Sequence, residues 1–464
     1  MPSTMDVKRE KKNRISFPWW AAAFWILVWE ALARLVNQSL LLVSPLEAAR
    51  RLIQLLGEAA FWQSVGFSLG HILLGFLLGA LLGIGLAILS YRFRWVEQLL
   101  SPLTATIKAI PVASFVILAL LWVSKQNLSV LISLLIGFPV IYGNALTGLK
   151  NTDPSRIEMA RLFRVPFGRQ LRALYLPSLA PYLLSSLSIA MGLCWKSGVA
   201  AEVIGTPDGS MGERLYNAKI YLETADLFAW TVMVVLMSVL CEKLLKLLLD
   251  LVQKQLSAPM ADARPSPELA PVEVGTPLHV QDLTLRYDGK TVLENLNLNF
   301  SAGGRYCILG PSGSGKTTLL RAMMGLIKPA QGDVSAFTQK QPSAVFQEDR
   351  LLSWMNAVEN LRFVTDITPE DASALLMRLG LDEESLAQPV SEFSGGMKRR
   401  VSIARALCAP HHILYLDEPY KGLDESTRRK VQSVVEEMSQ GRTVILVTHD
   451  LREAEGYTPV SLQP

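Results

Sequence analysis

Nine consecutive residues carry the plainest chemistry in this chain: Gly310, Pro311, Ser312, Gly313, Ser314, Gly315, Lys316, Thr317 and Thr318. A glycine-rich turn lets backbone N–H groups wrap phosphate oxygens. Lys316 brings a cation to the β- and γ-phosphates, and the Thr317 hydroxyl can ligate Mg²⁺. The apolar run 306–309 ahead of the turn reads as a strand, and 319–324 behind it reads as a helix. The helix N-terminus adds its dipole to the same anion site. A glycine-rich turn arising by chance has no need of that context.

Two further clusters fit the same chemistry. Residues 413–416 form an apolar strand ending in Asp417 and Glu418. Asp417 can hold the Mg²⁺ shell. Glu418 is placed to polarise an attacking water as general base. Taken alone, two acids at a strand end are a common solvated feature. Ser394, Gly395 and Gly396 then precede basic residues and the helical run 401–407, a second anion-binding helix start. One chain needs one phosphate loop for one nucleotide, so a second turn makes sense if it serves a nucleotide held by another copy. By itself it is an ordinary helix cap.

Together these motifs resemble the ATP-binding cassette (ABC) ATPases over about residues 278–455. The resemblance implies ATP and Mg²⁺ as ligands and supplies the remaining roles. Tyr287 resembles the aromatic that stacks on adenine. Gln347 resembles the loop glutamine that senses Mg²⁺ and the γ-phosphate. Ser394, Gly395 and Gly396 resemble the signature turn that closes on the opposite subunit's ATP. Asp424, in Gly422-Leu423-Asp424, resembles the dimer-contact loop, and His449 the switch histidine. An exposed strand-end aromatic and a solvated turn are the plainer readings of Tyr287 and His449. Met397 stands where the family usually has Gln, which bears on nucleotide affinity or rate. Little sequence follows His449, so no regulatory C-terminal domain is expected.

The elements that position these residues belong to an α/β domain of alternating strands and helices with a largely parallel sheet. The rest of the chain differs in kind. Half of its 464 residues are hydrophobic and 19% are charged, with mean hydropathy +0.28. Soluble chains carry about a quarter charged residues, so a disordered or fibrous protein is excluded and membrane segments are implied. The net charge of +4 is too small to imply a nucleic-acid partner. Cys194, Cys241, Cys307 and Cys408 show no metal or disulfide spacing and read as reduced, buried thiols.

Residues 65–90, 109–124, 126–149, 173–195 and 227–241 contain no charged side chain. Crossing a bilayer takes roughly 20 apolar residues in a helix. A further span starts at Phe17-Pro18-Trp19-Trp20 and runs to about Val36. The expected fold is therefore an all-α transmembrane domain of about six helices fused to an α/β P-loop NTPase domain of ABC type. The expected domains are 1–253, a Pro-rich linker at 254–277, and 278–464. No cleavage site follows the basic start, so it does not read as a signal peptide. Lys and Arg concentrate before the first span, in the long fourth connection and after the last span. That bias puts both termini and the ATPase in the cytoplasm of a multi-pass cell-membrane protein.

The fourth connection contains Glu158, Ala160, Arg161, Arg164, Gly168 and Leu176-Pro177. It resembles the cytoplasmic loop of binding-protein-dependent importer permeases, with Arg164 where a glycine is usual, so a turn of different shape is expected. Such a piece can dock as a lever into a groove on a soluble partner. A basic helix held by anionic lipid is the alternative. The resemblance covers most of residues 43–252. Trp195-Lys196, residues 200–205 and residues 351–354 look most like the nitrate/sulfonate/taurine branch, whose members also carry vitamin precursors. Lys108, Lys196 and Glu202 face either the bundle interior or an interface, and His71 reads as a packed histidine.

The resemblance implies an ATPase-driven importer built from two copies of the chain. It would work with an extracytoplasmic solute-binding protein and a small-molecule solute. An exporter and an ATP-driven membrane switch that moves no solute are the rivals. The solute itself is not legible in the sequence.

Overall fold

This computed structural model describes residues 19–36, 38, 40–256, 278–287, 290–311 and 313–462; the side chains of 253–256 and of Tyr287 lie outside the description. So do Ser312, the basic residues 8–14 and residues 257–277 of the expected linker. Among the described residues, eleven α-helices come first: α1 Trp19–Val36, α2 Pro45–Leu56, α3 Ala59–Arg92, α4 Arg94–Ala109, α5 Val112–Ala119, α6 Leu128–Lys150, α7 Pro154–Leu162, α8 Phe167–Gln170, α9 Leu176–Gly205, α10 Met211–Ile220 and α11 Thr224–Leu256. The chain packs as two units. One comprises Met1–Lys150 and Ala180–Val252, the other Asn151–Leu179 and Gln253–Pro464.

In the first unit, glycines every fourth residue set the helix packing. A Cβ on Gly75 would stand 2.3 Å from the Val130 carbonyl oxygen, and one on Gly79 3.0 Å from that of Leu134. On Gly83 it would stand 3.1 Å from the Tyr142 nitrogen. Small residues at this spacing let α3 and α6 approach backbone to backbone. Among the described residues, four helices are long and apolar enough to cross a bilayer: Trp19–Val36, Ala59–Arg92, Lys125–Lys150 and Phe167–Gly205.

The expected third span, 109–124, is not one straight helix. The α4 and α5 pair breaks at Ile110-Pro111 and bends by 104°, making a fifth span if counted as one. Pro111 has no N–H to give, and it drives Ile110 to an extended ψ of 127°. The sixth expected run, 227–241, lies in α11 and stands outside that count.

Glu202 is fully buried. It accepts from the Ser68 hydroxyl at 2.5 Å and the Gly212 N–H at 3.4 Å, whereas Lys108 and Lys196 are exposed. His71 is packed as expected, with Nδ1 2.8 Å from the Phe67 carbonyl and its ring stacked on Phe67. The cysteines are free, but Cys408 is only half-buried.

The second unit holds two sheets. Strands β1 Leu278–Tyr287, β2 Lys290–Phe300 and β4 Gln331–Asp333 form an antiparallel sheet in the order β2-β1-β4. Strands β3 Arg305–Leu309, β5 Pro342–Val345, β6 Ile413–Asp417, β7 Thr443–Val447 and β8 Thr458–Ser461 form a parallel sheet in the order β5-β6-β7-β3-β8. The helices are α12 Lys316–Met323, α13 Ser335–Thr338, α14 Ala357–Val364, α15 Pro369–Arg378, α16 Glu383–Leu386, α17 Gly395–Cys408 and α18 Glu425–Met438. β5, β6 and β7 are buried along their whole length. Central parallel strands covered on both faces read as unbroken apolar runs, which is how the sequence exposed β6; β5, with Pro342 and Ser343, carries no such run and is a finding of the structure.

Residues 151–179 fold into this second unit. Met159, Ala160, Leu162 and Phe163 share one buried cluster with Leu319, Met323, Phe346 and Phe363. Asp153 caps α7 and Pro154 opens it. Arg164 adopts φ +52° and lets Val165 N–H reach the Ala160 carbonyl at 2.9 Å. The turn therefore takes the left-handed conformation that glycine would provide, rather than a different one. A non-glycine residue there costs about 1 kcal/mol.

Candidate functional site

Four segments meet because four parallel strands end side by side. Leu309 leads into Gly310, Val345 into Phe346-Gln347, Asp417 into Glu418, and Val447 into Thr448-His449. Ligands of open α/β sheets bind at these carboxyl ends. The cavity there measures about 280 Å³ and is lined by Val292, Gly313, Gly315, Lys316, Thr317, Thr318, Gln347, Asp417, Glu418, Val447 and His449.

The turn ahead of α12 needs its glycines. Gly313 and Gly315 have φ of +84° and +86°, and a Cβ on Gly315 would press on Val292 at 2.9 Å. Gly310, Pro311 and Ser314 complete the turn; a Cβ on Gly310 would meet the Ser314 hydroxyl at 2.7 Å. The buried Lys316 ammonium donates to the carbonyls of Gly310 at 2.8 Å and Pro311 at 2.7 Å. These two bonds fix its position.

Asp417 is buried, which pushes its carboxyl up to about 6, although the Thr317 hydroxyl bonds to it and Arg399 and Lys316 lie near. Among the described residues, no group of three or more His, Cys, Asp or Glu side chains forms a metal cluster. The hydroxyl of Thr317, the carboxylate of Asp417 and the amide of Gln347 line the cavity together. That hard oxygen set suits Mg²⁺, which keeps waters and takes only one or two carboxylates beside a substrate's phosphates.

Glu418 occupies a left-handed φ of +49° and its N–H donates to the Val447 carbonyl at 2.8 Å. One carboxylate oxygen lies 3.0 Å from His449 Nε2, the other 3.1 Å from Lys421 Nζ. Non-glycine residues in this region cost of order 1–3 kcal/mol and cluster at functional sites.

Other expected residues lie elsewhere. Tyr287 ends β1, with its side chain outside the described residues. Ser394 caps α17, accepting from the Met397 N–H at 3.3 Å, and is exposed with Gly395 outside the cavity lining. Met397 packs against a buried apolar cluster. Asp424 caps α18; its carboxyl accepts from the Ser426 and Thr427 N–H groups and is held well below the usual range.

The structure adds residues that motif reading missed. Arg399, buried on α17, donates to the carbonyls of Phe346 and Gln347, both at 2.7 Å. Arg405, six positions on, donates to those of Asp349 at 2.8 Å and Arg350 at 2.9 Å. The two arginines fasten the Gln347 loop to the helix that Ser394 caps. Glu158 of α7 pairs with Arg321 of α12 at 2.6 Å and with Arg350 at 3.2 Å. Arg169 pairs with Asp366, and Arg156 stacks over Trp354 at 5.0 Å. The run of basic residues after Gly396 was the only sequence signal for the clamp.

Two family models match the chain. Residues 75–258 match the inner membrane component of binding-protein-dependent transport systems, and residues 293–421 match the ABC transporter model. The aliphatic sulfonates import ATP-binding protein SsuB of Delftia acidovorans is 40% identical over 182 residues, 38% of this chain and 75% of that protein. The ergothioneine transport ATP-binding protein EgtV of Helicobacter pylori is 32% identical over 40% of this chain and 95% of its own length. The taurine import ATP-binding protein TauB of Escherichia coli O157:H7 is 36% identical over 38% of this chain and 75% of its own.

Proposed function

The chain belongs to the ABC transporter family and joins a binding-protein-dependent permease to an ATPase in one polypeptide, and from that premise we propose that it imports a small solute across the cytoplasmic membrane. It does so with an extracytoplasmic solute-binding protein and a second copy of itself. The solute is nitrate-, sulfonate- or taurine-like, or a vitamin precursor; the sulfonate and taurine importers among the relatives favour the first group. The ATPase and both termini face the cytoplasm, following the Lys and Arg bias.

One observation carries the reading. Glu158, in the permease-type loop, bridges Arg321 behind the phosphate loop and Arg350 beside Gln347. A loop so held supports a lever between membrane helices and nucleotide, and the match of residues 75–258 to binding-protein-dependent permeases favours an importer over an exporter.

ATP lies against Lys316 of one copy and Ser394 of the other, with Tyr287 stacking on adenine, and the Asp424 loop meets the partner. Thr317, Asp417 and Gln347 would hold Mg²⁺, which supplies charge for the β- and γ-phosphate oxygens when bound. Glu418 takes the proton of the attacking water while its oxygen bonds to the γ-phosphorus and the bond to ADP breaks. His449 contacts the γ-phosphate and orients the carboxylate. Binding of ATP favours the closed pair, and loss of phosphate reopens it. That works only if the two states differ in ATP affinity.

The test is ATP-driven accumulation of labelled taurine or an alkanesulfonate in proteoliposomes supplied with a solute-binding protein. Deleting residues 158–168 should leave hydrolysis and abolish uptake. Uptake that survives the deletion removes the lever. Hydrolysis without accumulation, for every solute and partner tried, favours a membrane switch.

A further inference from the structure

The Glu418 carboxylate has both oxygens engaged: His449 Nε2 at 3.0 Å on one and Lys421 Nζ at 3.1 Å on the other. A general base needs an oxygen within hydrogen-bond reach of its water, about 2.6–3.2 Å. The switch histidine accounts for one contact. Nothing in the mechanism above uses the other.

Lys421 sits where a hinge would be useful. Its side chain is 66% exposed against 14% for Glu418, so the ammonium has free solvent to move into. Gly422 follows with φ +80°. The Gly422 carbonyl oxygen and Leu423 Cδ2 both lie 3.5 Å from where a Cβ on Gly396 would stand. One short loop therefore touches half-buried Gly396, next to the exposed Ser394 and Gly395, at one end and the Glu418 carboxylate at the other.

We propose that Lys421 is a positioning residue that holds the Glu418 carboxylate in a resting orientation and releases it when a partner's nucleotide seats on Gly395 and Gly396. The inference rests on the two-copy reading above. A phosphate arriving at the turn displaces Gly422 and Leu423, and the i to i+3 ion pair opens because its lysine is carried away. The carboxylate then turns its freed oxygen to the water.

The full-length chain in lipid nanodiscs tests this by steady-state ATP hydrolysis. Lys421→Ala and Lys421→Met should raise kcat about 1.5- to 5-fold, the range of a partly exposed ion pair, with KM for ATP unchanged. Lys421→Arg should restore the original rate. A merely structural lysine would lower thermal stability without raising kcat. If kcat of both neutral variants is unchanged or falls, the proposal is overturned. Two neutral variants guard against a single folding failure. Ser394→Arg, run alongside, reports on the two-copy reading separately: if it leaves hydrolysis intact, that reading fails whatever the lysine variants do.

Discussion

Two turns in this chain present backbone N–H groups at a helix start, and they are built differently. The turn 313–318 lines a cavity with its lysine buried, Gly313 and Gly315 left-handed, and Gln347, Glu418 and His449 gathered around it. The turn 394–396 is open, capped by its own serine, and lies outside that cavity's lining. The first gathers a lysine, a hydroxyl, two carboxylates, an amide and an imidazole around one cavity. The second offers only donors. On the reading proposed above, the difference makes each chain carry two partial sites, one rich in chemistry and one that only closes.

The comparison breaks most sharply at Glu418. Glu418→Gln should retain ATP binding and lose turnover by roughly 10²–10⁴-fold, measured as nucleotide binding against phosphate release. Retained hydrolysis would place the base elsewhere. Ser394→Arg puts a long cation on the open turn and should cut hydrolysis by about 10-fold or more, while binding at Lys316 stays within about twofold; a matching loss of binding would mean that the turns are not separate half-sites.

Smaller effects sharpen the picture. Glu158→Ala leaves Arg350, whose guanidinium burial already disfavours its charge, without its carboxylate. Basal hydrolysis should change less than about threefold, and stimulation by a loaded binding protein should disappear. Equal losses in both would mark Glu158 as structural. Arg164→Gly should raise resistance to urea by at most about 0.5 kcal/mol, because glycine relieves about 1 kcal/mol of left-handed strain but costs about 0.5–1 kcal/mol of chain entropy. A loss of stability would mean that the Arg164 bond to the Lys340 carbonyl outweighs the strain.

Motifs were legible where chemistry is local. Gly310 to Thr318 and Ser394 to Gly396 each lie within one turn, and their residue types have few other uses together. Asp417 and Glu418 were legible because β6 is apolar until they appear. The antiparallel sheet was not foreseen; β2 alternates polar asparagines with apolar residues over Lys290–Phe300 and has no chemistry to mark it. The bend at Ile110-Pro111 was missed because counting uncharged residues gives no weight to a proline. The arginine contacts were out of reach for a different reason. Glu158 meets Arg321 and Arg350 across 163 and 192 positions of chain, and only the folded sheet brings them together.

The second unit draws residues 151–179 from the stretch between α6 and the body of α9, and the rest from the end of α11 onward. A helix and the socket that receives it thus arrive on the same molecule, never as strangers in solution. Tethered parts meet at effective concentrations near the millimolar range, so a handful of ion pairs and a patch of apolar contact hold them. Severing the chain between residues 257 and 277 would turn a permanent joint into one that dilution can undo.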